Sequence, residues 1–287
     1  MAKVDILNYI SEENILRSTY DTDTNELDIT DVPQNLNSVI ILGSGGGGGI
    51  TIDDLAQNIE PSGDIVLDDS INAIKNYAFS GKPITHCTGK NVKSLGMNAF
   101  IETTIQSIDD TNFPSLGTTT DSALALRLPT TCTSIKLSGN YISLASGYYA
   151  FRGCKGLITA EFPNAAKDVI STSAKEMGQY AFAECTNLQR VDCGFTTKIS
   201  AYAFYNSPAV NEIILRNTSL VPLTNITAFN GSPFKNGGTG GTIYIPETLY
   251  DHLGDGTSLD YQNASNWSTV YGYGTITWAK IEGSIYE

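Results

Sequence analysis

Residues Tyr180 to Cys193 read Tyr-Ala-Phe-Ala-Glu-Cys-Thr-Asn-Leu-Gln-Arg-Val-Asp-Cys, and this pattern organises the rest of the chain. We call the Phe of the pattern, Phe182 here, its anchor. The residues at the sixth, ninth and eleventh positions after the anchor are apolar. The same three offsets are apolar after three further anchors, which are Leu126, Phe151 and Phe204. Four copies with identical internal spacing indicate a tandem repeat.

Three more copies depart slightly from this spacing. Phe79 and Phe100 begin copies that are one residue tighter, and Phe229 begins a copy whose strand, at 243–245, is displaced by the glycine-rich segment 236–241. The predicted anchors are therefore Phe79, Phe100, Leu126, Phe151, Phe182, Phe204 and Phe229. Successive anchors are 21 to 31 residues apart. Steps of this length are typical of leucine-rich-repeat solenoids, in which a strand and a return segment make each turn.

The spacing also predicts which side chains face the core. Positions nine and eleven after an anchor are two apart, so on a strand they point to the same side. The anchor is expected to reach the interior from the opposite wall of the coil. One repeat cannot bury this apolar face alone, whereas stacked neighbours can. The sequence therefore predicts a mainly β leucine-rich-repeat solenoid.

The form Ala-Phe-x-x-Cys-x-x-Leu, found at 150–157 and 181–188, resembles the BspA-type leucine-rich repeats of bacteria. The resemblance covers about residues 65 to 250, although the copies at Phe79, Phe100 and Leu126 depart from the pattern. Residues 242–246 and 266–268, near the end of the chain, are also similar to the segment that closes such repeats. Repeats of this family often occur in surface adhesins, so the resemblance implies protein or glycan binding without catalysis.

Composition excludes several classes of function. The 287 residues include 17 Lys plus Arg against 30 Asp plus Glu, a formal charge of −13. Such a balance argues against nucleic acid and anionic membranes as partners.

Residues 1–10 lack the apolar run of a signal peptide, and no stretch reaches the roughly 18 apolar residues of a membrane span. The five cysteines are an odd number, and Cys154 and Cys185 share the third position after an anchor, which predicts small core residues.

Four segments are predicted. Residues 1–42 lack the repeat and form an N-terminal attachment arm or small module, with a strand at 39–42; residues 43–60 are a glycine-rich linker. Residues 61–246 form the solenoid, and residues 247–287, which contain both tryptophans, form an aromatic cap.

The run from Gly43 to Gly49 has one alternative interpretation. Its Gly-x-Gly-x-x-Gly spacing follows an apolar strand, as in a dinucleotide-binding fingerprint. However, no alternation of strands and helices follows it, and five consecutive glycines would hold a pyrophosphate loosely. A nucleotide-binding enzyme therefore stays a remote alternative to the linker.

No catalytic, cofactor or metal site is predicted. His86 and His252 have no metal-ligand spacing and no nucleophile pairing. The acidic turn at Asp21 begins like a calcium loop but lacks the Gly and the final Glu that an EF-hand requires.

A binding surface is predicted from the strands. Residues that flank the inward positions point out of the sheet that the stacked strands form. The candidate ligand-binding residues on this face are Lys136, Thr159, Glu161, Arg190, Asp192, Glu212 and Tyr244. Two alternatives stay open: the face is only solvated, or the aromatic tail is the binding patch.

Two features must be combined in the functional prediction, namely a repeat typical of adhesion and no visible export signal. A bacteriophage virion appendage satisfies both, because virion proteins fold in the host cytoplasm. The leading prediction is a non-enzymatic tail, baseplate or head-fibre protein. It would form a homo-oligomer, dock to other virion proteins through residues 1–60 and bind a host-surface protein or glycan. The alternatives are a BspA-like adhesin on the bacterial surface and a purely structural scaffold.

Overall fold

The computed structural model describes residues 63–67, 69, 71–119, 122–144 and 150–282, and upstream of these it describes the backbone of four strands. The four strands are β1 (Val4–Ile6), β2 (Arg17–Asp21), β3 (Glu26–Asp31) and β4 (Ser38–Ile41). Strands β1, β2 and β3 form an antiparallel sheet. Residues 43–60 lie outside the described part of the chain, so the linker and its nucleotide-binding alternative both stay predictions.

Strand β4 belongs to the first turns of the coil. It pairs in parallel with β5 (Gly63–Leu67), which pairs in parallel with β7 (Ile84–Thr88). The strand predicted at 39–42 is therefore joined by its backbone to a strand on the other side of the glycine run. The amide of Thr104 donates to the carbonyl of Ile84 at 3.1 Å, which connects this small sheet to the next turn.

The main wall of the coil is a parallel sheet of seven strands. They are β9 (Ser107–Asp109), β11 (Ser134–Lys136), β13 (Thr159–Glu161), β15 (Arg190–Asp192), β17 (Glu212–Ile214), β18 (Gly241–Ile245) and β19 (Ile276–Lys280). Each repeat contributes one strand, and equivalent residues pair: Ile135 lies opposite Ala160, and Ala160 opposite Val191. These residues are the ninth after their anchors and are buried, as the spacing predicts.

A second wall consists of strands of only two residues. They are β6 (Ala73–Ile74), β8 (Ser94–Leu95), β10 (Ser122–Ala123), β12 (Ile142–Ser143), β14 (Glu176–Met177) and β16 (Lys198–Ile199). They pair in parallel as β6 with β8, β10 with β12, and β14 with β16. Ile199 continues this wall through a bridge to Leu223.

The third wall carries the anchors, and we call it the anchor wall. The amide of Phe151 donates to the carbonyl of Ala181 at 2.7 Å, and the amide of Phe182 to that of Ala203 at 2.8 Å. The rings of Phe151 and Phe182 stack with centroids 5.2 Å apart. The seven anchors, Phe79, Phe100, Leu126, Phe151, Phe182, Phe204 and Phe229, are all buried. All seven residues predicted as anchors thus lie in the core, between neighbouring turns.

The chain turns sharply on both sides of several anchors. Two residues before Phe182, Tyr180 has φ 57°, and two residues after it, Glu184 has φ 61°. The left-handed region costs roughly 1–2 kcal/mol for a residue with a Cβ atom. Glycine avoids this cost, and Gly153, two residues after Phe151, has φ 75°.

The third position after an anchor joins neighbouring turns. The thiol of Cys185 donates to the carbonyl of Phe151 at 3.1 Å, and the thiol of Cys154 to that of Leu126 at 3.2 Å. Burial raises the pKa of Cys154 to about 12, so its thiol stays protonated at neutral pH. The prediction that these cysteines are small core residues is confirmed, since all five cysteines are free and buried.

The last turn is covered by residues 246–282. In this covering segment, two short helices, α1 (Glu247–Tyr250) and α2 (Trp267–Tyr271), precede β19. Two 3-10 helices lie earlier in the chain, at Ser173–Lys175 and Ile226–Phe229. Trp267 donates from Nε1 to the carbonyl of Val221 at 2.7 Å, and the amide of Val221 donates to the hydroxyl of Tyr261 at 2.9 Å.

Within the described residues, no helix has the length and apolar character that crossing a membrane requires.

Candidate interaction surface

The outward face of the main sheet, which we call the sheet face, has two columns of side chains. The register places Ser134, Thr159, Arg190, Glu212 and Thr242 in one column, and Lys136, Glu161, Asp192, Ile214 and Tyr244 in the other. The column of buried central residues lies between them. The backbone thus aligns all seven candidate residues predicted from the sequence, and whether they bind a ligand stays a prediction.

Four charged residues of the sheet face form a ladder across neighbouring strands. Glu161 lies 3.9 Å from the amine of Lys136 and 3.3 Å from Nε of Arg190. Arg190 also donates from Nη1 to Glu212 at 2.6 Å. Partial burial would lower the pKa of Arg190, but Glu212 and Glu161 together raise it. We call these four residues the charge ladder; two are positive and two are negative, so it carries no net charge.

Asp192 differs from the expectation of an exposed residue. Its side chain is buried, because Arg216 from the next repeat covers it with bonds from Nε at 2.9 Å and Nη2 at 2.6 Å to the carboxylate. The amide of Gly194 donates to the same carboxylate at 3.0 Å. Burial raises the pKa of Asp192, and the bonds from Arg216 oppose that rise. Asp192 therefore holds two repeats together instead of facing a ligand.

Its neighbour in the same column, Ile214, is also buried. Tyr244 and Thr159 are half-buried, and Lys136 is exposed. Among the seven candidate residues, those accessible on the sheet face are therefore the charge ladder with Thr159 and Tyr244.

A second group of side chains lies on the anchor wall. The triplet Tyr-Ala-Phe occurs at 77–79, 149–151, 180–182 and 202–204, so tyrosine recurs two residues before an anchor. The rings of Tyr180 and Tyr202 stack at 5.0 Å with planes 5° apart. The guanidinium of Arg152 lies 5.4 Å from the ring of Tyr180 and donates to Glu184 at 2.7 Å. We call Tyr180 and Tyr202 the tyrosine ladder. Neither residue was predicted as a site from the sequence, although the recurring triplet carries the signal.

Two exposed histidine–aspartate pairs are present. Nδ1 of His86 lies 2.7 Å from Asp64, and Nδ1 of His252 lies 2.6 Å from Asp255. The hydroxyl of Thr85 donates to Asp64 at 3.2 Å, so it points at the carboxylate and not at the imidazole. In the part of the chain that the structure describes, no three His, Cys, Asp or Glu side chains are grouped to hold a metal ion.

Comparison with known proteins gives one clear match. The family described as BspA type leucine rich repeat region matches residues 57–174 and 165–250, in six copies. No curated protein matches the chain.

Two solved structures are similar to this chain. One is a leucine-rich repeat protein from Bacteroides ovatus ATCC 8483, which is 12% identical, with 98% of this chain and 99% of that chain covered and a TM-score of 0.25. The other is a leucine rich cell surface protein from Faecalibacterium prausnitzii A2-165, which is 14% identical, with 79% and 93% covered and a TM-score of 0.20.

Proposed function

Since this chain belongs to the family of BspA-type leucine-rich-repeat proteins, we propose that it is a non-enzymatic adhesion protein of a bacterial cell surface. Its repeats present the sheet face to a host-surface protein or glycan. The family match supports this reading, which was the alternative in the sequence analysis. The virion appendage gains no support from the match, and neither do its docking through residues 1–60 and its homo-oligomeric state.

The observation that carries the proposal is the regular sheet face. Seven parallel strands about 4.8 Å apart give a surface about 30 Å long, and the charge ladder crosses four of them. Exposed ion pairs contribute little to stability, typically about 0–1 kcal/mol. A row of Arg and Glu side chains with defined spacing is instead suited to matching opposite charges on a partner.

The binding test compares two ion pairs on different walls. Arg190→Glu replaces the central cation of the charge ladder and places like charges on three neighbouring strands. Lys198→Glu makes the same change in the ion pair between Lys198 and Glu176 on the wall of two-residue strands. Binding of the purified protein to host epithelial cells would be measured by flow cytometry. We expect Arg190→Glu to weaken binding at least about tenfold and Lys198→Glu to leave it nearly unchanged.

An equal effect of both substitutions would contradict the role of the sheet face, and no cell binding by the wild type would contradict adhesion. The location has its own test. Fractionation of the producing bacterium, followed by immunodetection, should find the protein at the cell surface. Recovery in purified phage particles would favour the virion instead.

A further inference from the structure

We propose that the tyrosine ladder ends in a second binding surface, which takes a neutral carbohydrate. It is formed by Tyr202, Tyr205, Asn206 and Asn230, and we call it the tyrosine corner. It lies on the anchor wall, apart from the sheet face; it rests on the proposed adhesive function and adds to it a second site, for a neutral sugar.

The ladder stops at Tyr202 for a reason that the sequence makes visible. The position two residues before the next anchor, Phe229, is Thr227, which has no ring to continue the stack. Tyr205 instead meets Tyr202 at 5.7 Å with an interplanar angle of 84°. Two aromatic rings at right angles therefore form a corner at the end of the ladder, and both side chains are partly exposed.

The backbone indicates that these tyrosines are not there to ease folding. Tyr180 and Tyr202 have φ values of 57° and 61°, in the region where glycine is favoured. On the other side of the anchors the chain does use glycine, at Gly153 and Gly231. Tyr77 and Asn98 have the same left-handed conformation at the equivalent position, so this strain belongs to the turn before an anchor and not to binding. Tyr180 and Tyr202 are only partly buried, so packing does not use all of their surface.

We assign the polar rim of the corner to two amides, Asn206, which follows Tyr205 in the chain, and Asn230 on the next turn. The amide of Asn206 donates to the carbonyl of Asn230 at 2.8 Å, which places the two residues side by side on adjacent turns. A Cβ built on Gly231 would lie 2.4 Å from Oδ1 of Asn206, so the side chain of Asn206 rests against this turn. Asn206 and Asn230 are both exposed. Each amide offers two donors and an acceptor, the groups that sugar hydroxyls require.

The charge at the ladder favours a neutral ligand. The guanidinium of Arg152 at the far end of the ladder is paired with Glu184, so the two charges cancel. A pyranose ring has an apolar C–H face that suits an aromatic ring and hydroxyls that suit amides. A nucleic acid or an acidic glycan would need unpaired cations, whereas a neutral sugar does not.

The test uses an array of immobilised neutral oligosaccharides that contain hexoses, N-acetylhexosamines and fucose. We expect the purified protein to bind at least one of them, with little dependence on salt. Tyr202→Ala and Tyr205→Ala should each weaken this binding about tenfold or more. Tyr77→Ala is the matched control, because Tyr77 also precedes an anchor by two residues, has φ 58° and is exposed. It should bind within about twofold of wild type.

Thermal unfolding of the three variants separates lost binding from lost folding. Equal losses of sugar binding in Tyr77→Ala and Tyr202→Ala would overturn the proposal, as would an array on which the wild type binds nothing. If cell binding persists and depends on Arg190 while the array stays blank, the tyrosine corner is refuted and the adhesive function stands. If neither cells nor sugars are bound, both fail.

Discussion

At the residue scale, the third position after an anchor is a cysteine in two turns, Cys154 and Cys185, and a serine in the next two, Ser207 and Ser232. Ser207 donates from its hydroxyl to the carbonyl of Phe182 at 2.6 Å and accepts from the amide of Cys185 at 3.2 Å. Cys154 makes the same two kinds of bond, since the amide of Leu128 donates to its sulfur at 3.2 Å. A small side chain that both donates and accepts therefore suits this position in these turns, and the bonds do not depend on thiol reactivity.

Ser207→Ala tests this requirement. The change leaves the buried amide of Cys185 without the hydroxyl that accepts its hydrogen bond, and an unsatisfied buried donor costs about 1–3 kcal/mol. Ser207→Cys supplies the residue found in the two preceding turns and should recover most of the loss. The free energy of unfolding would be measured by urea titration. Equal stability of the Ala and Cys variants would show that the position needs only a small side chain.

At the scale of the elements, ion pairs on the same sheet differ in what surrounds them. Asp192 on β15 and Arg216, which follows β17, are 2% and 7% exposed, whereas Arg190 and Glu212 on the same two strands are partly open to water. Removing one partner of a buried ion pair leaves a charge without compensation, whereas an exposed pair is screened by solvent.

Asp192→Asn should therefore destabilise the protein by about 3–5 kcal/mol, and Glu212→Gln by no more than about 1 kcal/mol. Both substitutions replace a carboxylate by an amide of nearly the same shape on adjacent strands, so Glu212→Gln is the matched control. The measurement is again the free energy of unfolding in urea. Similar losses in the two variants would contradict the structural role assigned to Asp192.

The elements also differ in whether they could be predicted from the sequence. The seven anchors and the main strands were predictable because their offsets repeat and apolar burial follows the period of two. The strands of two residues, such as β14, were not, since two residues carry no period. The burial of Asp192 depends on Arg216, which comes from the following repeat and has no equivalent in the spacing rule. The stacking of Tyr202 could not be predicted from the spacing rule, because that rule covers only positions after an anchor.

At the scale of the whole molecule, each turn contacts only its neighbours, so the ends decide whether the array frays. Beyond the last repeat, the buried side chain of Asp260 stabilises the covering segment through hydrogen bonds. Its carboxylate accepts from the amides of Gly256 at 3.1 Å and Gln262 at 2.8 Å. Burial alone would raise the pKa of Asp260, but the hydrogen bonds from these and neighbouring amides lower it below its ordinary value.

A carboxyl group whose pKa is lower in the folded chain than in the unfolded chain stabilises the fold above its ordinary pKa of about 3.9. This stabilisation disappears as the pH falls through the folded value. Asp260→Asn should therefore lower stability at pH 7 by about 1.5–3 kcal/mol, the range for a hydrogen bond to a charged group. The difference from wild type should shrink steadily below about pH 4. Asp168→Asn, at an exposed carboxylate on an inner turn, is the control and should show no such convergence. Calorimetric unfolding between pH 7 and pH 3 would measure the stability of both variants. If the stability difference between Asp260→Asn and wild type stays constant over this range, the charge of Asp260 does not stabilise the end of the coil.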